Sequence, residues 1–137
     1  MQLNIRPLNY EDYDTTLVGW WNDWGWQVAP KRELLPANGI GGVMVYDGDV
    51  PVCAAFLYTT NSGIAWIDWV VSSKTYTNKK GRKEALNILV ESLTNTAKNL
   101  GFNIAYSLSK SIFTQRVFAE NGYVVSNTYN VEMIKVF

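Results

Sequence analysis

Histidine is absent from this 137-residue chain, and cysteine occurs once. Without histidine there can be no Ser-His-Asp or Cys-His nucleophilic site and no His-containing zinc site, so no metal is expected. Cys53 sits among apolar residues in a predicted strand and reads as an inert, buried thiol. An excess of one charge is also missing. Twelve acidic and twelve basic residues cancel, so no global field draws the chain to nucleic acid or to anionic lipid, and neither is an expected partner. Long apolar runs are missing too: those at 43–46 and 64–71 fall far short of the roughly 20 residues a membrane span needs. Residues 1–7 lack signal-peptide character, so the expected setting is the cytoplasm. Carboxylates, tyrosines, backbone amides and a bound cofactor remain as parts for any chemistry.

What is present is a 47% apolar composition, enough for one domain over residues 1–137 to bury a core without disulfides or metal. Residues 2–7 alternate as a short strand. Asn9 then caps a predicted helix whose apolar positions Tyr13, Leu17, Trp20 or Trp21, and Trp24 recur at helical spacing. Glycine and proline punctuate 25–42, which reads as a loop with one helical turn near 31–35. Residues 43–46 and 50–60, joined by a turn at Asp47, Gly48 and Asp49, form a predicted hairpin. After a second turn at 61–63, the run 64–72 (IAWIDWVVS) is apolar on both faces, as a central strand is. Leu86, Leu89, Leu93, Ala97 and Leu100 mark a long helix ending at Gly101. A short strand at 103–108, a helix capped by Ser111 and running to Glu120 or Asn121, and strands at 123–125 and 128–137 complete the α+β order.

The unit from 64 to 108 must be a crossover that sets its two strands parallel if they are neighbours. Sheets of this kind bind ligands beyond the carboxyl ends of such strands, so the link 73–83 is the first place to look. There Lys74, Lys79, Lys80, Arg82 and Lys83 crowd around Gly81 at the start of the long helix. Cations in a first helical turn oppose the dipole by about 0.3–1 kcal/mol each, and with Gly81 as the cap only Glu84 offsets them. The alternatives are a solvated basic turn and a receptor for a phosphate-rich ligand, built from free backbone N–H groups, dipole and lysines with Gly81 admitting the ligand to the backbone.

The segment 67–86 (IDWVVSSKTYTNKKGRKEAL) resembles the acetyl-CoA-binding motif of GNAT acyltransferases, in which a strand ending Val-x-Val leads through Arg/Gln-x-x-Gly-x-Gly/Ala into a helix. Asn78 stands at the Arg/Gln place, Gly81 at the central glycine and Lys83 at the final small residue. The block 111–123 (SIFTQRVFAENGY) is similar to the family's second motif, with Ser111, Val117, Phe118, Gly122 and Tyr123 at matching places. The resemblance implies a GNAT-like mixed twisted sheet flanked by helices, with acetyl-CoA as co-substrate. Its fourth and fifth strands would splay apart so that pantetheine lies between them, near the amides of Trp69, Val70 and Val71. Cofactor contacts are thereby expected from Asn78, Lys79, Lys80, Gly81, Arg82, Lys83, Ser111 and Phe118.

In that family an amine attacks the thioester directly, so no Cys or His nucleophile is needed. Asp68, between two tryptophans in the central strand, is the candidate base, because desolvation there raises a carboxyl pKa. Phe118 stands where the family often keeps a thiolate-protonating tyrosine, a role left to Tyr106, Tyr123 or Tyr129. Trp24 and Trp26, in the region that forms the acceptor side of the family's cleft, are candidates to bind the amine of a small molecule or peptide; burial in the core and, for Trp26, a homodimer contact are competing explanations. The reading that emerges is an N-acetyltransferase. Its alternatives are an inactive CoA-binding module of the same fold and a protein-interaction domain.

Overall fold

Two tight turns convert the apolar stretch between residues 42 and 72 into an antiparallel meander. The computed structural model describes residues 1–26, 29–128 and 131–137. Strands β1 (Leu3–Pro7), β2 (Gly42–Asp47), β3 (Val50–Thr59), β4 (Ile64–Ser72) and β5 (Ile104–Tyr106) stand in that order in one sheet. Neighbours from β1 to β4 are antiparallel, whereas β5 lies parallel to β4. The crossover between those two is α2 (Lys79–Asn99), whose buried Ala85, Leu86, Leu89, Val90, Leu93 and Ala97 lie on one side of the helix. They pack on Val45, Val52, Leu57, Ala65 and Ile67 of the sheet, with Val117 and Phe118 of α3 (Ile112–Glu120) joining the same core.

The opposite face is covered by a π-helical turn, Tyr13–Leu17, running into α1 (Val18–Asp23). Asn9 caps this segment reciprocally: its Oδ1 accepts from the Asp12 N–H at 3.2 Å, while Asp12 Oδ2 accepts from the Asn9 N–H at 2.8 Å. Leu8, Leu17, Trp20, Trp21 and Leu35 bury Met44, Ala54, Phe56 and Val71 there. The connection from α1 to β2 contains 3₁₀ turns at Arg32–Leu34 and Pro36–Gly39. It is pinned by Arg32, which lies over the rings of Tyr10 and Tyr13 at 3.8 and 4.6 Å and pairs with Asp14 at 2.9 Å.

Two expectations are corrected. The cap of α2 is Asn78, whose Oδ1 accepts from the Gly81 N–H at 2.9 Å, so the helix begins at Lys79 and Gly81 is its third residue. Among the described residues no strand follows β5, although 123–125 and 128–137 read as strands. The helix α3 ends with Gly122 at φ 88°, Tyr123 folds back edge-on to Phe118, and beyond it 124–128 and 131–137 find no ladder to join and stand exposed. Tyr129 lies outside the described residues.

Candidate active site

The site begins with a misfit between β3 and β4. Ala54 pairs with Val71 and Phe56 with Asp68, so β4 spends one residue more than β3 between the two pairs. Such a bulge breaks the strict alternation of faces. Ile67 and Val70 pack toward α2, while Trp69 and Val71 pack on the α1 face, where Asp68 stands opposite Phe56. Trp69 absorbs the extra residue in the left-handed region, at φ 60°. For a bulky side chain that conformation costs on the order of 1–3 kcal/mol, a strain that persists only where the surroundings enforce it.

Those surroundings are visible. The Trp69 indole Nε1 donates to Tyr58 Oη at 2.7 Å, and Tyr58 Oη donates to the Leu34 carbonyl at 2.8 Å, tying the bulge to the pinned loop. Trp26 and Trp21 flank Trp69 with ring centroids 5.8 and 6.5 Å away. Asp68 Oδ1 accepts from the Trp69 N–H at 2.7 Å, and Oδ2 has no partner among the described residues. Burial pushes the Asp68 carboxyl above its ordinary range; the Trp69 amide pulls the other way, and the charge of Glu132 adds to the rise. Burial likewise raises Tyr58, against the indole bond and with help from the Asp68 charge.

Beside this bulge the sheet opens. The β4–β5 ladder consists of Ile64 with Ile104, Ala65 with Ala105 and Trp66 with Tyr106, and from Ile67 to Ser72 β4 runs on without a β5 partner. Trp66 and Tyr106 stack at 4.6 Å at the fork. Backbone groups along that stretch of β4 edge are left to hydrogen-bond something other than β5.

At the far end of β4 the basic link is only partly free. Arg82 donates through Nη2 to the carbonyls of Ser73, at 2.7 Å, and Tyr76, so it braces the link, while its Nε is buried without a partner among the described residues. Lys83 Nζ pairs with Glu120 at 3.1 Å. Asn78 is occupied as the cap. Gly81 is buried, and a Cβ there would meet Tyr76 Oη and Met1 Sδ, so the glycine admits these protein atoms and not a ligand. Lys79 and Lys80 remain: both side chains are exposed without a partner among the described residues, and their amides are the first two N–H groups of α2, which have no intrahelical acceptor. An anion would find two amides and two ammonium groups here.

The structure divides the other expected residues. Trp26 packs on Trp69, the residue after Asp68, whereas Trp24 donates to the Ser72 carbonyl at 2.7 Å and lies 5.2 Å from the Lys74 ammonium. Trp24 therefore belongs to the basic end, about 13 Å along the strand from Asp68. Ser111 caps α3 by accepting from the Thr114 N–H at 3.3 Å. Phe118, expected as a cofactor contact, is buried in the α2-side core and packs edge-on against Tyr123. Tyr123 is bonded to Thr94 at 2.6 Å on the α2 face, while Tyr106 stacks on Trp66 at the fork. Tyr58 was not legible as a site residue, because its role depends on the pairing of β3 with β4 and on the loop carbonyl it reaches.

No protein-family model matches the chain, and no curated protein matches it by sequence. Solved structures do match. N-acetylglutamate synthase from Neisseria gonorrhoeae, in complex with coenzyme A and N-acetyl-glutamate, superposes with a TM-score of 0.64 at 18% identity over 88% of this chain and 28% of its own. This chain thus spans little more than a quarter of that enzyme. Glucosamine-6-phosphate N-acetyltransferase from Arabidopsis thaliana matches over 100% of this chain and 99% of its own, with a TM-score of 0.63 and 15% identity. Rv2747 from Mycobacterium tuberculosis, solved with CoA, gives 0.68 at 14% identity over 94% of this chain and 76% of its own. The chain has the GNAT-like acyl-CoA N-acyltransferase fold that its motifs imply.

Proposed function

We propose that the protein is an acetyl-CoA-dependent N-acetyltransferase whose acceptor is the primary amine of a small molecule or peptide. The observation that carries this reading is the fork itself. A β4 edge released from β5 lies beside a carboxylate that burial holds above its usual pKa, and the free amides and lysines of the α2 N-terminus lie beyond the carboxyl end of the same strand. The residues present fit the cofactor: Lys79 and Lys80 receive its phosphates through N–H groups and charge, and the open edge at Trp69, Val70 and Val71 receives the pantetheine arm. Acetyl-CoA supplies the activated acyl carbon.

The protein supplies position and a proton acceptor. Asp68 keeps Oδ1 on the Trp69 amide and takes the proton of the acceptor ammonium on Oδ2. The nitrogen lone pair so released would form the new C–N bond as the C–S bond breaks, and the second nitrogen proton would pass to the departing thiolate, directly or through water, leaving a neutral amide and CoA thiol. A thiolate of pKa about 8.5 departs without an obligatory acid, so Phe118 is compatible with turnover; Tyr106, at the fork, is the candidate for protonating it. Trp26 and Trp69 form the wall against which the acceptor sits, and their faces attract a cation by about 0.5–2 kcal/mol.

A second reading, a CoA-binding module without turnover, is favoured by the burial of Phe118 at the tyrosine place and by the pairing of Lys83 with Glu120. Thermal shift with acetyl-CoA, CoA and ATP, followed by thiol release over a panel of amines, separates the two. A ligand at about 100 times its dissociation constant stabilises by about 2.7 kcal/mol. Stabilisation by both CoA species without thiol release for any amine would leave the module; no stabilisation by either would remove both readings.

A further inference from the structure

Around the β4 bulge the side chains are aromatic or acidic. Trp26 and Trp69 pack with ring centroids 5.8 Å apart, Trp21 backs both, and Trp26 keeps 36% of its surface exposed. Among the described residues no Lys or Arg is bonded to or stacked on Trp26, Trp69, Tyr58 or Asp68. The charge that acts on the Asp68 carboxyl is that of another carboxylate, Glu132.

Hydrogen-bond donors for an anion are nearly all spent. The Trp69 indole N–H goes to Tyr58 Oη and the Tyr58 hydroxyl to the Leu34 carbonyl, while the Trp21 N–H is buried in the core. The Trp26 N–H, a neutral donor, is what these rings have left. On the neighbouring loop Arg32 is turned to Asp14 and to the rings of Tyr10 and Tyr13, and the exposed Lys31 is matched by the exposed Glu33. Lys79 and Lys80 begin α2, past the far end of β4 at Ser72. Ring faces and a carboxylate oxygen attract a cation and repel an anion.

From this we infer that the acceptor is an arylalkylamine, a primary amine on an apolar aromatic body that carries no anionic group, with its ammonium at Asp68 and its ring along Trp26 and Trp69. The inference rests on the acetyltransferase reading and narrows its acceptor. A carboxylate one carbon away from an ammonium held on Asp68 would lie about 5–6 Å from that side chain, and at an effective dielectric constant of about 20 the repulsion is worth on the order of 100-fold in affinity. It would also leave water without a partner. A second ammonium, as in a diamine, would exchange water for a ring face, whereas an aromatic ring gains stacking and buried apolar area together.

Phenethylamine and phenylalanine differ by one carboxylate, and thiol release from acetyl-CoA with each tests the inference. The kcat/KM for phenethylamine should exceed that for phenylalanine by on the order of 100-fold, and should exceed that for putrescine. Trp26→Ala should raise the KM for phenethylamine by about 10-fold and that for methylamine, which has no body to stack, by less. Glu132→Lys, at an exposed position, should narrow the ratio of phenethylamine to phenylalanine. Calorimetric titration of the CoA-saturated protein with the same two amines reads binding without turnover. Phenylalanine or putrescine used as well as phenethylamine would overturn the inference and leave the acetyltransferase reading standing. If no amine releases thiol, that reading fails and calorimetry decides: binding of phenethylamine in preference to phenylalanine upholds the site, and equal binding or none overturns it.

Discussion

Replacing Asp68 with Asn should lower activity and raise stability together. The substitution is nearly isosteric, and an Asn oxygen still accepts the Trp69 amide, so the bulge and its tie to Tyr58 persist. What disappears is the proton acceptor. A general base contributes about 10²–10⁴ in rate, so kcat for amine acetylation should fall by that factor while CoA binding, read by thermal shift, stays within about twofold of the parent. Stability moves the other way, and the sign follows from linkage. Burial raises the Asp68 pKa in the folded state, so between the unfolded value, near 3.9, and the folded value the native protein holds more protons than the unfolded chain. The parent therefore loses stability as pH rises through that window and remains weakened above it, by about 1.4 kcal/mol for each unit of the rise. The carboxamide that replaces the carboxyl never ionises. The variant should be at least as stable as the parent at neutral pH, with its advantage vanishing below about pH 4, as read by urea denaturation across that range. The same raised pKa places the acid limb of the parent's rate profile above the ordinary carboxylate range, with Glu132 as the other titratable group acting on it. An Asn variant that turns over like the parent, or that is less stable at neutral pH, would show that Asp68 is a structural acceptor.

Lys79→Glu with Lys80→Glu should abolish the thermal shift produced by CoA without lowering the melting point of the free protein, whereas Lys83→Ala, which removes a half-exposed pair with Glu120, should change it far less. Asn78→Ala should cost about 1 kcal/mol by loss of the α2 cap, and Gly81→Ala about 1–3 kcal/mol, since the added methyl meets Tyr76 Oη where Asp47 holds it at 2.9 Å; denaturant titration measures both. Tyr58→Phe removes the acceptor of the Trp69 indole and should cost about 1–3 kcal/mol; if the bulge positions Asp68, kcat should fall more than KM changes.

Much of the fold was legible in local pattern, because the elements concerned are stabilised by one face of regular spacing. The repeat from Leu86 to Leu100 put α2 in place, and a helical crossover sets β4 and β5 parallel once they are neighbours, as they are. Asp68 was legible as a base candidate for a similar reason, since a carboxylate between tryptophans in a central strand is bound to be partly desolvated. The basic cluster was legible as a location but not in its parts: sequence spacing cannot tell that Arg82 turns back to carbonyls, that Lys83 meets a residue of α3, or that Asn78 rather than Gly81 starts the helix.

Composition and periodicity alone determined the α+β class, the absence of histidine chemistry and the helical crossover between β4 and β5, all properties of covalent identity and of contacts between residues near in sequence. Only the tertiary structure decided the one-residue mismatch between β3 and β4, the left-handed Trp69 that absorbs it, the parting of β5 after Tyr106 and the separation of Trp24 from Trp26. Each of these depends on the register between segments distant in sequence. A slip of one residue turns every side chain to the other face, and no local propensity resolves it.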